Sequence, residues 1–277
     1  MNMYFACDIG GTKTRVAVSN DCFKFDDPVI FETPNNPADG LELIIATVKR
    51  LAGKKDWSSK NIEAVAVGIA GVLNDDHSLL LKSPHLPNWE GVPIKSKIEK
   101  KLGTKAHIEN DTDIVGLGEA INGAGRGFEI CVYITISTGI GGVKIVKGKF
   151  EKNRYGFEPG FQILNNETGD NWEDLCSGTA IEEKFKMHPK EVAKTEHWHE
   201  LETNVAIGLN NSILHWSPDV VVLGGSMSRD FDLQSLTQRV KRIMRIHPNI
   251  PEIRIAELDS IGGIYGGFAF LRQYYRL

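Results

Sequence analysis

The stretch ACDIGGTKTRVAV, Ala6 to Val18, sets an acid (Asp8), two glycines (Gly10, Gly11) and the donors Thr12 and Lys13 into what otherwise alternates like a β-hairpin. Glycine lets backbone amides approach a ligand closely and take positive φ. A run of such amides forms a concave anion site, to which threonine and lysine add donors and charge. The same composition returns at Ser137-Thr138-Gly139-Ile140-Gly141-Gly142, and another glycine pair, Gly224-Gly225, ends an apolar run. A single tip of this kind is equally what a tight hairpin requires. Two equivalent tips and a third pair point to one polyphosphate gripped from both sides. The chain carries neither GxxxxGK[ST] nor GxGxxG between a strand and a helix, which disfavours a P-loop NTPase and a dinucleotide-binding domain.

Two acids accompany the glycines. A carboxylate at Asp8 facing phosphates would repel them unless a cation intervened. Mg²⁺ shared between carboxylate, water and phosphate oxygens resolves this; the plainer alternative is a turn acid. Asn110-Asp111 falls where a strand gives way to a helix. Asp111 either caps that helix or accepts the proton of a substrate hydroxyl attacking a γ-phosphate.

The elements that must position these residues read as α/β. Met3–Cys7 and Thr14–Ser19 alternate as strands around the first tip, and Pro28–Pro34 is a third. The helical period of NPADGLELIIATVKRLAG stops at Gly53; IEAVAVGIAGVL is a buried strand with a glycine turn; PIKSKIEKKLG is an amphipathic helix. Strand, glycine-rich turn and strand recur over Glu129–Gly148, followed by helices from about Asn171 to Ser217 and the buried strand of PDVVVLGGSM. This weak duplication implies two related α/β halves with a cleft between them, the boundary passing through the helix after Asp111.

At 277 residues the chain can bury a sizeable core, and a net charge of −4 indicates no broad basic surface for nucleic acid. The basic run Gln238–Arg245 suits the wet side of a helix whose other side carries Val240, Ile243 and Met244. No long apolar run or N-terminal signal pattern is present, so a cytoplasmic protein without a membrane partner is expected. Cys7, Cys22, Cys131 and Cys176 are scattered without a CxxC pair, which favours buried thiols over disulfides or a cysteine zinc site.

Taken in order, these pieces resemble the ROK family of sugar kinases and repressors, within the actin-like superfamily. DIGGTKTRVAV is similar to its first phosphate motif, SPHLPNWEGVPI to its sugar-side loop and ENDTDIVGLGEA to its Asn-Asp element. STGIGGVKIVKGK is similar to its second phosphate motif, and VVVLGGSMS to the strand leading to adenosine. The resemblance implies two actin-like (ribonuclease H-like) α/β domains flanking a cleft: residues 1–112 completed by a returning C-terminal helix over 262–277, and residues 113–261. It implies ATP and Mg²⁺, with Asp111 as catalytic base. Asp8, Gly10, Gly11, Thr12, Lys13, Ser137, Thr138, Gly139, Gly141, Gly224 and Gly225 lie on the ATP side. Gly71, His85, Asn110, Asp111, Glu158 and Glu173 lie on the sugar side. A homodimer is implied by resemblance alone.

The departures are informative. The first phosphate motif starts at Asp8, so the repressors' winged helix-turn-helix is not expected ahead of it. The family's Gly-Glu-x-Gly-His segment reads FEPGFQ, with Phe161 at the histidine, and its CxCGxxGCxE zinc motif is replaced by NNETGDNWEDLCSGTAI. With all four ligand positions changed, no bound zinc is expected, and His197 and His199 do not share a helical face that could replace them. His85 stands where the family's loop has asparagine, and Ser137 where it more often has glycine. The expected activity is an ATP-dependent hexose kinase acting on glucose. The alternatives are an N-acetylmannosamine or other amino-sugar kinase, a fructokinase, or a non-catalytic sugar or nucleotide sensor.

Overall fold

The first strand, β1 (Met3–Ile9), is buried at every position. In the computed structural model, which describes residues 2–54 and 61–277, it is the middle strand of a five-stranded sheet. Its companions are β2 (Lys13–Ser19), β3 (Val29–Glu32), β4 (Ile62–Ile69) and β7 (Lys105–Asn110), in the order β3-β2-β1-β4-β7. β2 pairs antiparallel and β4 parallel with β1. The short β5 (Val72–Leu73) and β6 (Leu80–Lys82) form a separate hairpin. Near-continuous apolar runs such as IEAVAVGI are what strands covered on both faces require. One face is covered by α1 (Pro37–Lys54) and α2 (Ile94–Leu102), which bury Ile44, Val48 and Ile98 against Phe5 and Val65. α2 ends at Gly103 in the left-handed region, φ 67°.

The second sheet repeats the first. β8 (Ile130–Ile136), β9 (Ile140–Val146), β10 (Lys149–Phe150), β11 (Val220–Gly224) and β12 (Glu252–Ile255) lie in the order β10-β9-β8-β11-β12. Again the central strand pairs antiparallel with its hairpin partner and parallel with the next strand in the sheet. Helices α4 (Trp172–Cys176), α5 (Gly178–Phe185), α6 (Pro189–Val192), α7 (His197–Trp216) and α8 (Leu233–Ile243) complete this half. Trp172, Leu209 and Val240 share its core with Val132 and Val221.

The basic run behaves as expected at Lys241 and Arg242, which are exposed. Arg239 instead turns inward, to Thr203 Oγ1 at 2.9 Å and Glu202 at 3.5 Å.

The chain divides into two compact units, Met1–Ile121 with 152–156 and Ser260–Leu277, and Asn122–Glu151 with Phe157–Asp259. The division falls near the end of α3 (Asp111–Asn122). The cause is the C-terminal helix α9 (Gly262–Tyr275), which returns to the first sheet and takes α3 with it. Ile264 and Phe268 pack with Ala6 and Ala66, and a Cβ on Gly266 would lie only 1.7 Å from the Ile114 carbonyl oxygen. Among the described residues no helix is long and apolar enough to cross a membrane, and Cys7, Cys22, Cys131 and Cys176 are all buried thiols.

Candidate active site

In the first unit the strands run further into the hairpin than the alternation suggests. Asp8 pairs with Arg15 and Ile9 with Thr14, so only Gly10, Gly11 and Thr12 remain between β1 and β2. Asp8 is therefore a strand residue, not a turn acid. The tip is closed by the Gly10 N–H donating to Lys13 O at 3.1 Å. Thr33 braces it from beside β3: its N–H reaches Thr12 O at 2.9 Å and its hydroxyl reaches Gly10 O at 2.7 Å. Neither tip glycine lies in the left-handed region. Close approach, not positive φ, selects glycine here, since a Cβ on Gly11 would stand 2.8 Å from His85 Cβ. The first tip and the loop carrying His85 are thus packed together, while Thr12, Lys13 and His85 are themselves exposed.

Asp8 is 8% exposed. Burial first, and the nearby Asp111 charge second, push its carboxyl up to about 7 against the opposing pull of Arg15. Arg15 Nη1 sits 3.3 Å from Asp8 Oδ2. From the other side α9 closes on the acid, and a Cβ on Gly263 would fall 2.7 Å from Asp8 Cγ.

Asn110 and Asp111 have separate tasks. Asn110 Oδ1 accepts the Thr112 N–H at 2.8 Å and the Asp113 N–H at 3.2 Å, the bonds of a helix cap. Its Nδ2 donates to Gly71 O at 2.9 Å. Gly71 has φ +130°, and a Cβ there would meet Lys82 O at 2.4 Å, so only glycine fits. Asp111, the first residue of α3, is not the cap. Its Oδ1 accepts the adjacent Thr112 N–H at 2.8 Å. Burial raises its pKa, partly offset by that N–H and by His85. A pair the sequence did not single out, His77 and Glu109, lies just upstream: Nδ1 is 2.9 Å from Oε2 and 3.0 Å from Ile108 O. The bond to Glu109 chiefly raises the His77 pKa.

In the second unit the tip between β8 and β9 is Ser137-Thr138-Gly139. Ser137 N–H donates to Gly139 O at 2.9 Å, and Ser137 Oγ lies 3.1 Å from Ser226 Oγ beyond the glycine pair. Gly225, at φ +88°, leaves no room for a Cβ beside Ile136 O, and Gly224 lies against the Tyr133 hydroxyl. The two features expected on the ATP side are therefore neighbours. Gly141 lies within β9, opposite Thr135 of β8. Glu158 is exposed at the start of the 3-10 turn Pro159–Phe161, and Phe161 is 57% exposed. Glu173, half-buried in α4, accepts the Ile140 N–H at 2.7 Å.

The segment expected to lack zinc closes on hydrogen bonds. Leu164 and Asn165 N–H both reach Asp170 O. Asn171 and Asp174 exchange the bonds of a capping box. Among the described residues no group of three or more His, Cys, Asp or Glu side chains is arranged to hold a metal ion. His197 stacks on Phe185, and His199 faces Arg239.

The description of the family model that matches residues 4–274 is "ROK family". The chain is 27% identical to an N-acetyl-D-glucosamine kinase of Vibrio parahaemolyticus, over 97% of this chain and 99% of that one. It is 25% identical to a glucokinase of Thermotoga maritima, over 96% of each. Its fold is that of a ROK hexokinase from Thermus thermophilus (TM-score 0.83, 24% identity, 99% of each chain). A ROK glucokinase from Streptomyces griseus, solved with glucose and AMPPNP, is also similar (TM-score 0.76, 23% identity, 98% of this chain and 100% of that one).

Proposed function

The chain belongs to the ROK family, and on that footing we propose that it is a sugar kinase moving the γ-phosphoryl group of ATP to a hexose hydroxyl, with Asp111 as general base. The observation that carries the reading is the Asp111 carboxylate, which is half-buried and raised in pKa by desolvation, with the helix cap supplied by its neighbour. A carboxylate made more basic by burial is better matched to a hydroxyl proton. As the hydroxyl oxygen bonds to the γ-phosphorus, its proton passes to Asp111, the bond to the β-phosphate oxygen breaks, and ADP leaves.

The residues fit Mg²⁺. Buried Asp8 and half-buried Asp111 are close enough for one charge to raise the other's pKa, with only Arg15 among the causes opposing the Asp8 shift. A divalent cation relieves such a pair, and Asp8 would hold it. When bound, Mg²⁺ neutralises charge on the phosphate oxygens. Thr12 and Lys13 at the first tip, and Ser137 to Gly139 at the second, would take the phosphates through amides and side-chain donors.

For the acceptor, relatives named glucokinase and N-acetyl-D-glucosamine kinase support a hexose-type sugar. Glucose is the acceptor we expect, held by Glu158, Glu173, Asn110 and the backbone at Gly71, with His85 nearby. A sensor of the same fold has no need of a base. The same reading carries a cytoplasmic homodimer that acts on small molecules, not on nucleic acid or membrane. The test is ADP release with Mg²⁺-ATP and a panel of glucose, N-acetylglucosamine, N-acetylmannosamine, mannose and fructose. Wild type should turn over at least one of them, fastest with glucose. ADP release with none would leave the sensor.

A further inference from the structure

The carboxylate of Glu173 reaches the second glycine tip, although its place in the sequence assigns it to the sugar. Its Oε2 accepts the Ile140 N–H at 2.7 Å. A Cβ on the preceding Gly139 would come within 2.8 Å of the same oxygen, so the carboxylate lies directly against the tip. The chain after Glu173 continues the hold. Gly178 N–H donates to Ser137 O at 2.6 Å, and Thr179 reaches Thr138 O through its N–H at 3.3 Å and its hydroxyl at 2.9 Å. Ser137, Thr138 and Ile140 are thus all tied to one short segment, 173–179. That segment is itself fixed by the Asn171–Asp174 capping box and the buried Trp172.

A glycine-rich tip has conformational freedom to lose when it closes on a ligand. A side-chain oxygen that accepts from a tip amide removes part of that freedom beforehand. We infer that Glu173 is a positioning residue for the second glycine tip, so that nucleotide binding depends on it even when no sugar is present. The inference rests on reading this tip as a phosphate clamp.

Two variants keep the bulk of the side chain and differ in the acceptor: Glu173→Met removes it and Glu173→Gln retains it. Glu182→Ala, on the exposed side of α5, removes one negative charge elsewhere. Two quantities are measured: amide hydrogen exchange of the Ser137–Gly142 segment in ligand-free protein, and the Kd for Mg²⁺-ATP without sugar. Glu173→Met should exchange the tip about tenfold faster and bind about tenfold more weakly. Glu173→Gln should stay within about threefold of wild type on both, and Glu182→Ala should match wild type. Glu173→Ala serves as a second acceptor-free variant should Glu173→Met not fold.

The inference is overturned if the acceptor-free variant keeps wild-type exchange or affinity, if Glu173→Gln is equally damaged, or if Glu182→Ala does the same harm. A wild type that binds no ATP overturns the kinase reading together with the nucleotide half of this one. A wild type that binds ATP beside an unimpaired Glu173→Met overturns this inference alone.

Discussion

Asn110 and Asp111 are adjacent, yet one spends its side chain on the helix cap and Gly71 O while the other keeps a half-buried carboxylate bonded to the adjacent Thr112. Asp111→Asn retains an acceptor for Thr112 and leaves the cap in place, so the variant should fold normally. Its kcat should fall about 10²–10⁴-fold with little change in ATP affinity. A coupled assay finding near-normal kcat would remove the base. Asp8 gives a second test at this scale. Its folded pKa of about 7 lies above its ordinary 3.8, so the folded state holds the extra proton between those values. That contribution is full below about 4 and is lost as pH rises through about 7. Metal-free wild type should therefore be less stable to urea at pH 8 than at pH 5 by more than Asp8→Asn is. Parallel pH dependences in the two proteins would show that Asp8 does not carry the effect.

At the scale of elements, α9 sets where both acids stand. Gly263 gives it clearance over Asp8, while Gly266 and Gly118 let it approach α3. A Cβ on Gly266 would meet a backbone carbonyl, which cannot swing aside like a side-chain tip, so the helices must separate. Gly266→Ala should cost more than about 2 kcal/mol in chemical denaturation, within the range of overpacked cores. A loss below about 0.5 kcal/mol would mean that this approach is not tight. The two sugar-side glutamates part company here as well. If the tips held the phosphates independently of the sugar side, removing either glutamate would raise only the sugar KM. With Glu173 bonded to the Ile140 N–H, only Glu158→Ala should behave so, raising the sugar KM about tenfold. Glu173→Ala should raise both KM values. Steady-state kinetics in which Glu173→Ala leaves the ATP KM unchanged would restore the independent picture.

For the molecule as a whole, the same five-stranded order occurs twice, and the loop expected to lack zinc is closed by its own hydrogen bonds. Purified protein should contain no stoichiometric zinc by elemental analysis. EDTA should abolish activity, restorable by Mg²⁺, without lowering the Tm. One zinc per chain would overturn the correspondence drawn over Glu158–Gly178. The long strands, the glycine tips, the Asn-Asp step from strand to helix and the family were legible in the amino-acid sequence, whereas the short β6 and β10 were not. Alternation, helical period and turn chemistry are written within short windows, and the motifs keep their order along the chain. Decided only in three dimensions were the Asp8–Arg15 pair, the cap falling to Asn110, the His77–Glu109 contact, Gly11 selected by His85, α3 held by α9, and the carboxylate of Glu173 on the second tip. Apart from the cap, each is a contact whose partners no local pattern links. The cap itself turns on which of two adjacent polar side chains folds back on the helix, and packing at Gly71 settles that choice.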